Sequence, residues 1–410
     1  MSLEDYVEHL PLRVPPEDVH AMTRFMLQQC PVVHSDADGG FWLLNRHDDI
    51  LRVMQDWNGF VNGNAGVRVP NDPPGVNRPP VPPIDWNGPM HRSVRDVMNP
   101  YLSPKALNEH EPGFRSIIGG LIDDFAPRGY ADISLELAKM FPAYITCQEL
   151  LGVTEPVDLE NLRTWNRRLS YDLLTEEPAV LAAVQRQWTT WSTALVAERR
   201  ATPGPDIVSG LVQATKEDGT PLLSDVEIVG AIQILVAGGF STTSEATSNI
   251  VVRLIEDPKL EPLLRELPEL IPAAIEEILR LEPPVNTRPR KCTRNVEIGG
   301  QLLREGDRLL VNYLAANVDP DEWDDPEEFI IDRKTNRVMT FGAGPHRCIG
   351  SSMARLSLQI MVEELLARVT DIRYADDLHE RRISTQPGGW RMVESFPVTF
   401  TPLTPHRPLR

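Results

Sequence analysis

The chain has 410 residues and is acidic, because 41 lysines and arginines against 59 aspartates and glutamates leave a formal net charge of −18. This balance excludes nucleic-acid binding through a broadly basic surface. The length suffices to bury a core together with a cofactor. The four cysteines (Cys30, Cys147, Cys292 and Cys348) are widely spaced and form no Cys-x-x-Cys pair. We therefore expect neither a zinc site nor a disulfide scaffold, as is typical of a reducing cytoplasm.

The sequence contains no charge-free apolar stretch long enough to span a membrane. Its first residues, Met-Ser-Leu-Glu-Asp-Tyr-Val-Glu-His-Leu, are acidic and have no apolar core region of the kind found in a signal peptide. We therefore expect a soluble, cytoplasmic protein without a membrane anchor.

A short strand is predicted over residues 40–44 and a short helix over residues 48–54. A proline-dense segment follows between residues 70 and 89. Its prolines remove backbone donors and prevent helix formation, so an irregular loop is expected. The loop is either a disordered linker or a packed functional loop, for which Val81 and Trp86 would supply apolar side chains.

His91 and Arg95 come next, on a predicted helix where a spacing of four places them on one face. An isolated pair of this kind is usually part of a solvated surface. From about residue 112 to residue 201 the pattern predicts one helix after another and contains no catalytic motif.

A long helix is predicted from Ser224, where Ser-Asp-Val-Glu forms a capping box with Glu227, to about residue 255. Gly238 and Gly239 lie in its middle, and a glycine in a helix interior costs about 1 kcal/mol. Either the helix is distorted so that a flat ligand can approach its backbone, or the glycines permit close packing of another helix. The fragment taken alone leaves both interpretations open.

A further helix is predicted over residues 272–281, with Glu277 and Arg280 on one face. In isolation such a pair is an ordinary surface ion pair worth less than about 1 kcal/mol. A strand and turn over residues 296–300 and a strand over residues 397–400 complete the predicted elements.

Residues 341–350 read Phe-Gly-Ala-Gly-Pro-His-Arg-Cys-Ile-Gly and combine glycines with a histidine and a lone cysteine. Apolar residues then recur at helical spacing, which predicts a helix that starts at or just after Cys348. The positive end of a helix dipole and its unpaired N–H groups lower the pKa of a cysteine and favour the thiolate, the form that binds metals. The alternative is a buried free cysteine behind a glycine-rich turn.

The pattern Phe-Gly-x-Gly-x-His-x-Cys-x-Gly resembles the haem-binding loop of the cytochrome P-450 family, and the resemblance extends over essentially the whole chain. It implies a single domain, residues 1–410, that is mainly α-helical with small β-sheet regions. It also implies that haem b lies between the long helix and this loop, with the thiolate of Cys348 bound to the iron.

The resemblance assigns further residues to the cofactor. A haem with a thiolate ligand and two propionates is negative, so burying it requires cations. The residues that the resemblance places at the propionates are His91, Arg95, Arg290 and His346, with Arg288 as the alternative to Arg290. It places Phe341, Gly342 and Gly238 in contact with the haem.

Glu277 and Arg280 resemble the family's buried Glu-x-x-Arg pair, which fixes the scaffold beneath the haem. An arginine often joins this pair from a Pro-x-Arg-Phe segment. Here that segment reads Pro326-Glu327-Glu328-Phe329, so glutamate stands where the arginine is usual.

Gly238, Gly239 and Thr242 match the family's oxygen-activation motif, but Ser241 replaces its usual acid. The acid–alcohol pair delivers protons to the bound oxygen. A serine cannot act as a carboxylate at neutral pH, although it can pass a proton through hydrogen-bonded water. The hypothesis is that Thr242 keeps its role and that a chain of Ser241, water and Glu245 replaces the acid.

The resemblance implies a bacterial-type monooxygenase that inserts one oxygen atom of O2 into a C–H bond of a small hydrophobic, terpenoid-like or natural-product substrate. It implies electrons from NAD(P)H through a ferredoxin reductase and a ferredoxin, and a monomeric enzyme. Candidate substrate contacts are Val81, Val285, Asn286, Trp390 and Val393. Candidate cations that would guide a small acidic partner to the thiolate face are Arg92, Lys105, Arg347 and Arg355.

Two alternatives remain beside this interpretation. Because Ser241 departs from the family pattern, the enzyme could use peroxide or carry out a reaction other than hydroxylation. In a different class, the chain could be a haem-binding sensor or carrier without turnover. Thr242 and the basic face for an electron partner favour an enzyme over a sensor.

Overall fold

The structure is a computed structural model and describes residues 19–62, 80–170, 176–333, 337–375, 382–386 and 390–403. It is mainly helical with small sheets, as predicted. The α-helices are α1 Val19–Gln29, α2 His47–Gln55, α3 Gly88–Met98, α4 Pro104–Phe125, α5 Phe141–Tyr144, α6 Pro156–Ser170, α7 Pro178–Ala201, α8 Ile207–Gln213, α9 Asp225–Glu256, α10 Leu260–Glu266, α11 Ile271–Leu281, α12 Tyr313–Asn317 and α13 Ser351–Arg368. The strands are β1 Val32–Ser35, β2 Phe41–Leu44, β3 Phe60–Val61, β4 Tyr130–Asp132, β5 Thr287–Cys292, β6 Val296–Ile298, β7 Gln301–Leu303, β8 Arg308–Asn312, β9 Val369–Tyr374, β10 Arg382–Gln386, β11 Trp390–Val393 and β12 Pro397–Pro402.

The predicted elements with the clearest local signals are confirmed. The predicted strand over residues 40–44 is β2, and the predicted helices are α2, α9, α11 and α13. Part of the proline-dense segment and the acidic beginning of the chain lie outside the described residues. The segment ends earlier than predicted, because α3 starts at Gly88 and takes Pro89 into its first turn, where the missing N–H of proline is not needed.

The largest sheet lies near the loop that contains Cys348 and carries cationic side chains towards it. Its strand order is β1-β2-β8-β5-β3, with β2 and β8 parallel and the other neighbours antiparallel. β5 pairs with β8 from Thr287 opposite Asn312 to Lys291 opposite Arg308. Its residues therefore alternate between the two faces of the sheet.

The long helix α9 connects two hydrophobic cores. Its first half, up to Phe240, packs in a core with α3, α6, α7 and α8. Its second half, from Ala246 onwards, packs in a core with α4, α11, α13 and the sheet β4-β12-β9. The residues between Phe240 and Ala246 are all polar and lie where α9 passes from one core to the other; Ser241 and Glu245 among them are buried, and Thr242 is partly exposed.

α9 is held at its start by the predicted capping box. The hydroxyl oxygen of Ser224 accepts a hydrogen bond from the N–H of Glu227 at 3.4 Å, and a carboxylate oxygen of Glu227 accepts from the N–H of Ser224 at 2.7 Å. Within the described residues, α9 is the one helix whose length and apolar character would allow it to cross a membrane. Because 61% of its most apolar window is buried inside the protein, it serves here as a core helix.

Candidate active site

The loop that contains Cys348 is closed by a backbone hydrogen bond and lies against α2. The N–H of Cys348 donates to the carbonyl of Phe341 at 2.8 Å. α13 begins at Ser351, three residues after the cysteine. Gly344 has a φ of +66°, and a Cβ there would lie 2.1 Å from the backbone oxygen of Met54. This glycine is therefore required by close packing on α2 as well as by its left-handed backbone conformation.

The pKa of Cys348 differs from the prediction. Desolvation raises it, and this outweighs the N–H of Gly350 and the cations Arg95, Arg288 and Arg355, which lower it. The helix terminus acts in the predicted direction, but its effect is too small to overcome desolvation. Cys348 is nonetheless an exposed cysteine. A positive metal ion at the sulfur would supply the missing stabilisation of the thiolate.

A cluster of buried nitrogen donors lies beside the loop. The rings of His91 and His346 are 4.2 Å apart between centroids. The side chain of Asn62 lies 3.3 Å from Nδ1 of His346 and accepts a hydrogen bond from Arg290 at 3.0 Å. The other ring nitrogen of His346 lies 3.1 Å from Oδ1 of Asn87. The structure thus brings together three of the four predicted propionate ligands, His91, His346 and Arg290.

Asn62 and Asn87 were not predicted as site residues. Asn62 precedes the proline-dense segment and Asn87 lies near the end of that segment, and no motif in the sequence marks them. Asn87 Nδ2 also donates to the backbone oxygen of Asn62 at 2.9 Å. The two amides therefore fix both His346 and Arg290 in the cluster.

The cluster has the properties of an anion site. Nε2 of His91 is buried without a hydrogen-bond partner. Arg290 is only 4% exposed and forms no ion pair with a carboxylate in the described part of the chain. Burial and the nearby cations lower the pKa of His91 to about 4 and that of His346 to about 3. Without an anion the two rings are therefore neutral and Arg290 is a buried cation without a counter-charge, which is costly, so these residues fit the propionates of a haem.

The remaining predicted cations hold the loop or its surroundings. Arg95 donates to the backbone oxygens of Pro345 at 3.3 Å and Arg347 at 2.6 Å, and so fixes the chain on both sides of His346. Arg355 pairs with Glu276 at 2.9 Å, and its guanidinium lies 4.2 Å from the ring centroid of Phe341. Arg355 is therefore less available to a partner than predicted.

One face of α9 is exposed in the middle of the helix, although the helix packs in both cores. Gly238 is exposed, and Ile234, Ala237 and Thr242 are partly exposed, while most of their neighbours are buried. Residues three and four apart share one helix face. A Cβ on Gly238 would meet no atom within 4 Å, whereas one on Gly239 would lie 2.5 Å from the hydroxyl of Thr146. One glycine thus opens a surface for a flat ligand, and the other permits close packing.

The polar residues of α9 face in different directions. The hydroxyl of Thr242 donates to the backbone oxygen of Gly238 at 2.6 Å. The hydroxyl oxygen of Ser241 is buried and accepts from Nδ2 of Asn166 on α6 at 3.1 Å, a partner that was not predicted. Glu245 is 3% exposed and one of its oxygens has no partner. Burial raises its pKa well above the usual value, and Lys139 opposes this only in part.

Comparison with known proteins identifies the family. The profile of the family described as Cytochrome P450 matches residues 185–370. A Steroid C26-monooxygenase of Mycobacterium tuberculosis (strain CDC 1551 / Oshkosh) is 31% identical over 78% of this chain and 86% of its own length. The chain belongs to the cytochrome P450 family.

Two further relatives agree with this assignment. Cytochrome P450 107B1 of Saccharopolyspora erythraea is 32% identical over 83% of this chain and 85% of its own. A structure of a mutant of P450 EryK in complex with erythromycin B superimposes with a TM-score of 0.83 at 30% identity, covering 94% of this chain and 98% of that one. The protein is thus a P450 monooxygenase with the P450 fold, and the family implies a haem-thiolate cofactor, redox partners and a hydrophobic substrate.

The scaffold pair of this P450 is buried and has a third member. Arg280 is fully buried and forms two hydrogen bonds with Glu277, each of 2.8 Å. Nε of Arg333 donates to the same carboxylate at 3.0 Å. Glu328, which stands at the arginine position of the family segment, contributes its backbone oxygen, which accepts from Arg280 and Arg333 at 3.1 Å each. The third partner that the sequence left in doubt is Arg333, five residues further along the chain.

The candidate substrate contacts of this P450 lie in several environments. Val81, Val285 and Asn286 are buried. Val81 is next to Pro80, whose backbone oxygen approaches α9 so closely that a Cβ on Gly230 would lie 1.7 Å from it. Val393 is buried in the core formed with α4 and α13. Trp390 begins β11, which contacts α9, but its side chain lies outside the described residues.

Proposed function

We propose that this P450 binds haem b with the thiolate of Cys348 as the axial ligand and hydroxylates a hydrophobic terpenoid-like or natural-product substrate. The observation that carries the proposal is the cluster of His91, His346 and Arg290 without a carboxylate partner in the described chain, next to the Cys348 loop. Such a cluster is suited to the two propionates of a haem.

The chain's own residues would divide the work between holding the cofactor and managing protons. His91, His346 and Arg290 bind propionate oxygens, and Arg95 fixes the loop backbone that carries Cys348. Phe341, Gly342 and Gly238 provide the surfaces on the two sides of the ring. Haem bound in this way would supply dioxygen activation: with two electrons and two protons, one oxygen atom would enter a C–H bond and the other would leave as water.

Proton handling falls to the polar residues in the middle of α9. The Thr242 hydroxyl donates to the backbone oxygen of Gly238. The Thr242 hydroxyl oxygen can therefore accept a hydrogen bond from the exposed side of the helix. Because Asn166 donates to the Ser241 oxygen, the Ser241 hydroxyl hydrogen must point elsewhere. Glu245 lies one helical turn from Ser241, and its raised pKa allows its carboxyl group to hold a proton.

The relatives support a bulky, hydrophobic substrate. One relative is named for a steroid, and a structural neighbour is described in complex with erythromycin B. We therefore include polycyclic and macrocyclic compounds in the proposed terpenoid-like or natural-product class.

We propose that the electrons come from NAD(P)H through a ferredoxin reductase and a ferredoxin, and that the enzyme works as a cytoplasmic monomer. Arg92, Lys105 and Arg347 are exposed and remain candidates for contact with an acidic partner.

The proposal is tested by supplying isotopically labelled dioxygen to the haem-loaded enzyme with a ferredoxin system and a panel of steroids, terpenoids and macrolides. It predicts a product that contains one labelled oxygen atom and requires NAD(P)H. Peroxide alone, with catalase as the control, tests the second candidate, a peroxide-driven enzyme, which Ser241 in place of the usual acid favours. A haem-loaded protein that forms no product under either condition would indicate a sensor or carrier.

A further inference from the structure

Arg290 is a buried cation whose partners are all neutral in the part of the chain that the structure describes. Its Nη1 donates to the side-chain oxygen of Asn62 at 3.0 Å and to the backbone oxygen of Pro289 at 2.7 Å. Its Nη2 donates to the sulfur of Met54 at 3.3 Å. A thioether sulfur is a weak hydrogen-bond acceptor, whereas guanidinium groups pair best with charged oxygens. The contact therefore needs a reason beyond apolar packing.

A second donor is directed to the same sulfur. The hydroxyl of Tyr313 donates to Sδ of Met54 at 3.8 Å, and it also forms a hydrogen bond with the guanidinium of Arg290. Both side chains are buried, since Tyr313 is 6% exposed and Met54 is 3% exposed. The three side chains thus form one connected group in which the sulfur is the shared acceptor.

This group lies against the loop that carries the candidate haem ligand. Met54 is in the last turn of α2, and a Cβ on Gly344 would lie 2.1 Å from its backbone oxygen. A Cβ on Gly342 would lie 3.0 Å from the methyl carbon of Met54 and 3.2 Å from the hydroxyl oxygen of Tyr313. Met54 therefore lies between Arg290 and the two glycines, and the loop limits where its sulfur can be.

The chemistry of the sulfur explains why a methionine suits this position. A leucine would fill a similar volume but would leave an N–H of Arg290 without an acceptor. A glutamate would accept strongly but would cancel the positive charge of Arg290. A thioether accepts a weak hydrogen bond and carries no charge. It can therefore hold the guanidinium in place and leave its charge for a negative ligand.

We propose that Met54 is a positioning residue that orients the guanidinium of Arg290 towards a haem propionate and leaves its charge uncompensated. The inference rests on the proposed function and makes it more specific, because it adds a residue that acts on the haem only through Arg290. Tight haem binding then requires a neutral acceptor at residue 54, and a negative charge there weakens the binding.

The experiment measures how fast haem leaves the haem-loaded protein. The wild type, Met54→Leu, Met54→Gln and Met54→Glu are mixed with an excess of a haem-scavenging globin, and haem transfer is followed by absorbance. Met339→Leu is the matched control, because Met339 is also 3% exposed and packs in the same hydrophobic core as Met54. The midpoint reduction potential of the bound haem is recorded for each protein as a second readout.

Met54→Leu is expected to lose haem about fivefold faster than the wild type, as the loss of one hydrogen bond allows. Met54→Gln keeps a neutral acceptor, so its rate should stay within about twofold of the wild type, as should that of Met339→Leu. Met54→Glu is expected to lose haem about tenfold faster or more. Its reduction potential should also be lower, because a propionate without its counter-charge opposes the uptake of an electron.

Three results would overturn the inference. Haem loss from Met54→Leu no faster than from Met339→Leu would show that the sulfur only fills space. Equally fast loss from Met54→Gln and Met54→Leu would show that the acceptor has no role. Haem loss and a potential in Met54→Glu equal to those of the wild type would show that the charge of Arg290 is not used.

Failure of the inference is distinguished from failure of the proposed function by the carbon monoxide spectrum of each protein before mixing. This spectrum reports whether a thiolate is bound to the haem, independently of the rate of haem loss. A wild type with the thiolate band but without the expected differences between variants would overturn the inference alone. A wild type without that band would contradict the proposed function and the inference with it.

Discussion

At the scale of single residues, the site contains buried charged side chains, some of which are paired and some of which would be paired by a bound anion. Arg280 is fully buried, yet it contacts both oxygens of Glu277 and also donates to the backbone oxygens of Asn317 and Pro326, each at 2.6 Å. Arg333 completes this group from the chain segment that follows. A charge buried in this way is tolerated only while all of its partners are present.

Removing Arg280 should therefore be far more damaging than removing an exposed arginine. Arg280→Ala leaves Glu277 partly unpaired, and we expect it to destabilise the protein by about 3–5 kcal/mol. Arg333→Ala should cost about 1–3 kcal/mol, because Arg280 still pairs with the carboxylate. Urea unfolding of the haem-loaded proteins measures both.

Arg24→Ala is the control, because Arg24 pairs with Glu327 where both side chains are 47% exposed. It should change the free energy of unfolding by less than about 1 kcal/mol. An effect of Arg333→Ala no larger than that of Arg24→Ala would show that Arg333 is not part of the buried group.

The histidine cluster predicts how pH acts on the chain without its cofactor. The pKa of His91 is about 4 and that of His346 about 3, both below the ordinary value of 6.5. As the pH falls below about 6.5, the unfolded chain takes up protons that the folded chain does not, so folding stability falls. The part due to His91 corresponds to about 3 kcal/mol.

We expect His91→Gln to reduce the loss of stability between pH 7 and pH 4 by up to about 3 kcal/mol in the haem-free protein. Haem should reverse the effect, because its propionates raise the pKa of both rings. Denaturant unfolding at several pH values, with and without haem, measures this. Equal pH dependence of the variant and the wild type would contradict the assigned burial of His91.

At the scale of secondary structure, α9 shows which predictions the sequence could support. Its start follows from a capping box between Ser224 and Glu227, which is a local signal. The contact of Ser241 with Asn166 could not be predicted, because these residues are 75 positions apart and no motif joins them. The same holds for Arg333 and Glu277, which only the fold brings together.

The site residues likewise fall into those that the local sequence could predict and those that only the fold brings together. The motif around Cys348 predicted the loop and the helix after it, since all of these residues are neighbours in the chain. The direction of the pKa shift of Cys348 was wrong, because desolvation depends on tertiary packing that the sequence does not display. Asn62 and Asn87 were missed for the same reason, since only the fold places them beside His346.

The middle of α9 gives a test of the proposed proton path. Glu245→Gln keeps the size of the side chain but cannot release a proton. If Glu245 supplies protons through water to Ser241, the variant should release several-fold more peroxide per NAD(P)H and form less product. Peroxide and product are measured together in the reconstituted system. Turnover and peroxide release equal to the wild type would exclude this path.

At the scale of the whole molecule, three exposed cations are candidates for contact with an electron donor. The net charge is −18, and Arg347 next to Cys348 in the chain, Arg92 on α3 and Lys105 on α4 are exposed. Opposite charges accelerate association most strongly at low salt, since the Debye length is about 10 Å at 0.1 M and about 3 Å at 1 M. If these exposed cations contact the electron donor, a small acidic donor is favoured.

The rate of reduction by an acidic ferredoxin should accordingly fall about tenfold or more as the ionic strength rises from 0.05 M to 0.5 M. Arg347→Glu should slow reduction at low salt. Arg163→Glu serves as the control, because Arg163 pairs with Glu160 on α6, away from the loop. Stopped-flow reduction measures these rates. A rate independent of salt and of Arg347 would exclude docking at this face.

The haem-thiolate assignment is tested most directly by the carbon monoxide difference spectrum of the reduced, haem-loaded protein. We expect the long-wavelength band of a haem-thiolate in the wild type and in Cys30→Ser, whose cysteine lies away from the site. We expect loss of this band in Cys348→His with haem still bound. A thiolate band that persists in Cys348→His would contradict the assignment of Cys348 as the ligand. Its absence from the wild type would contradict the haem-thiolate function itself.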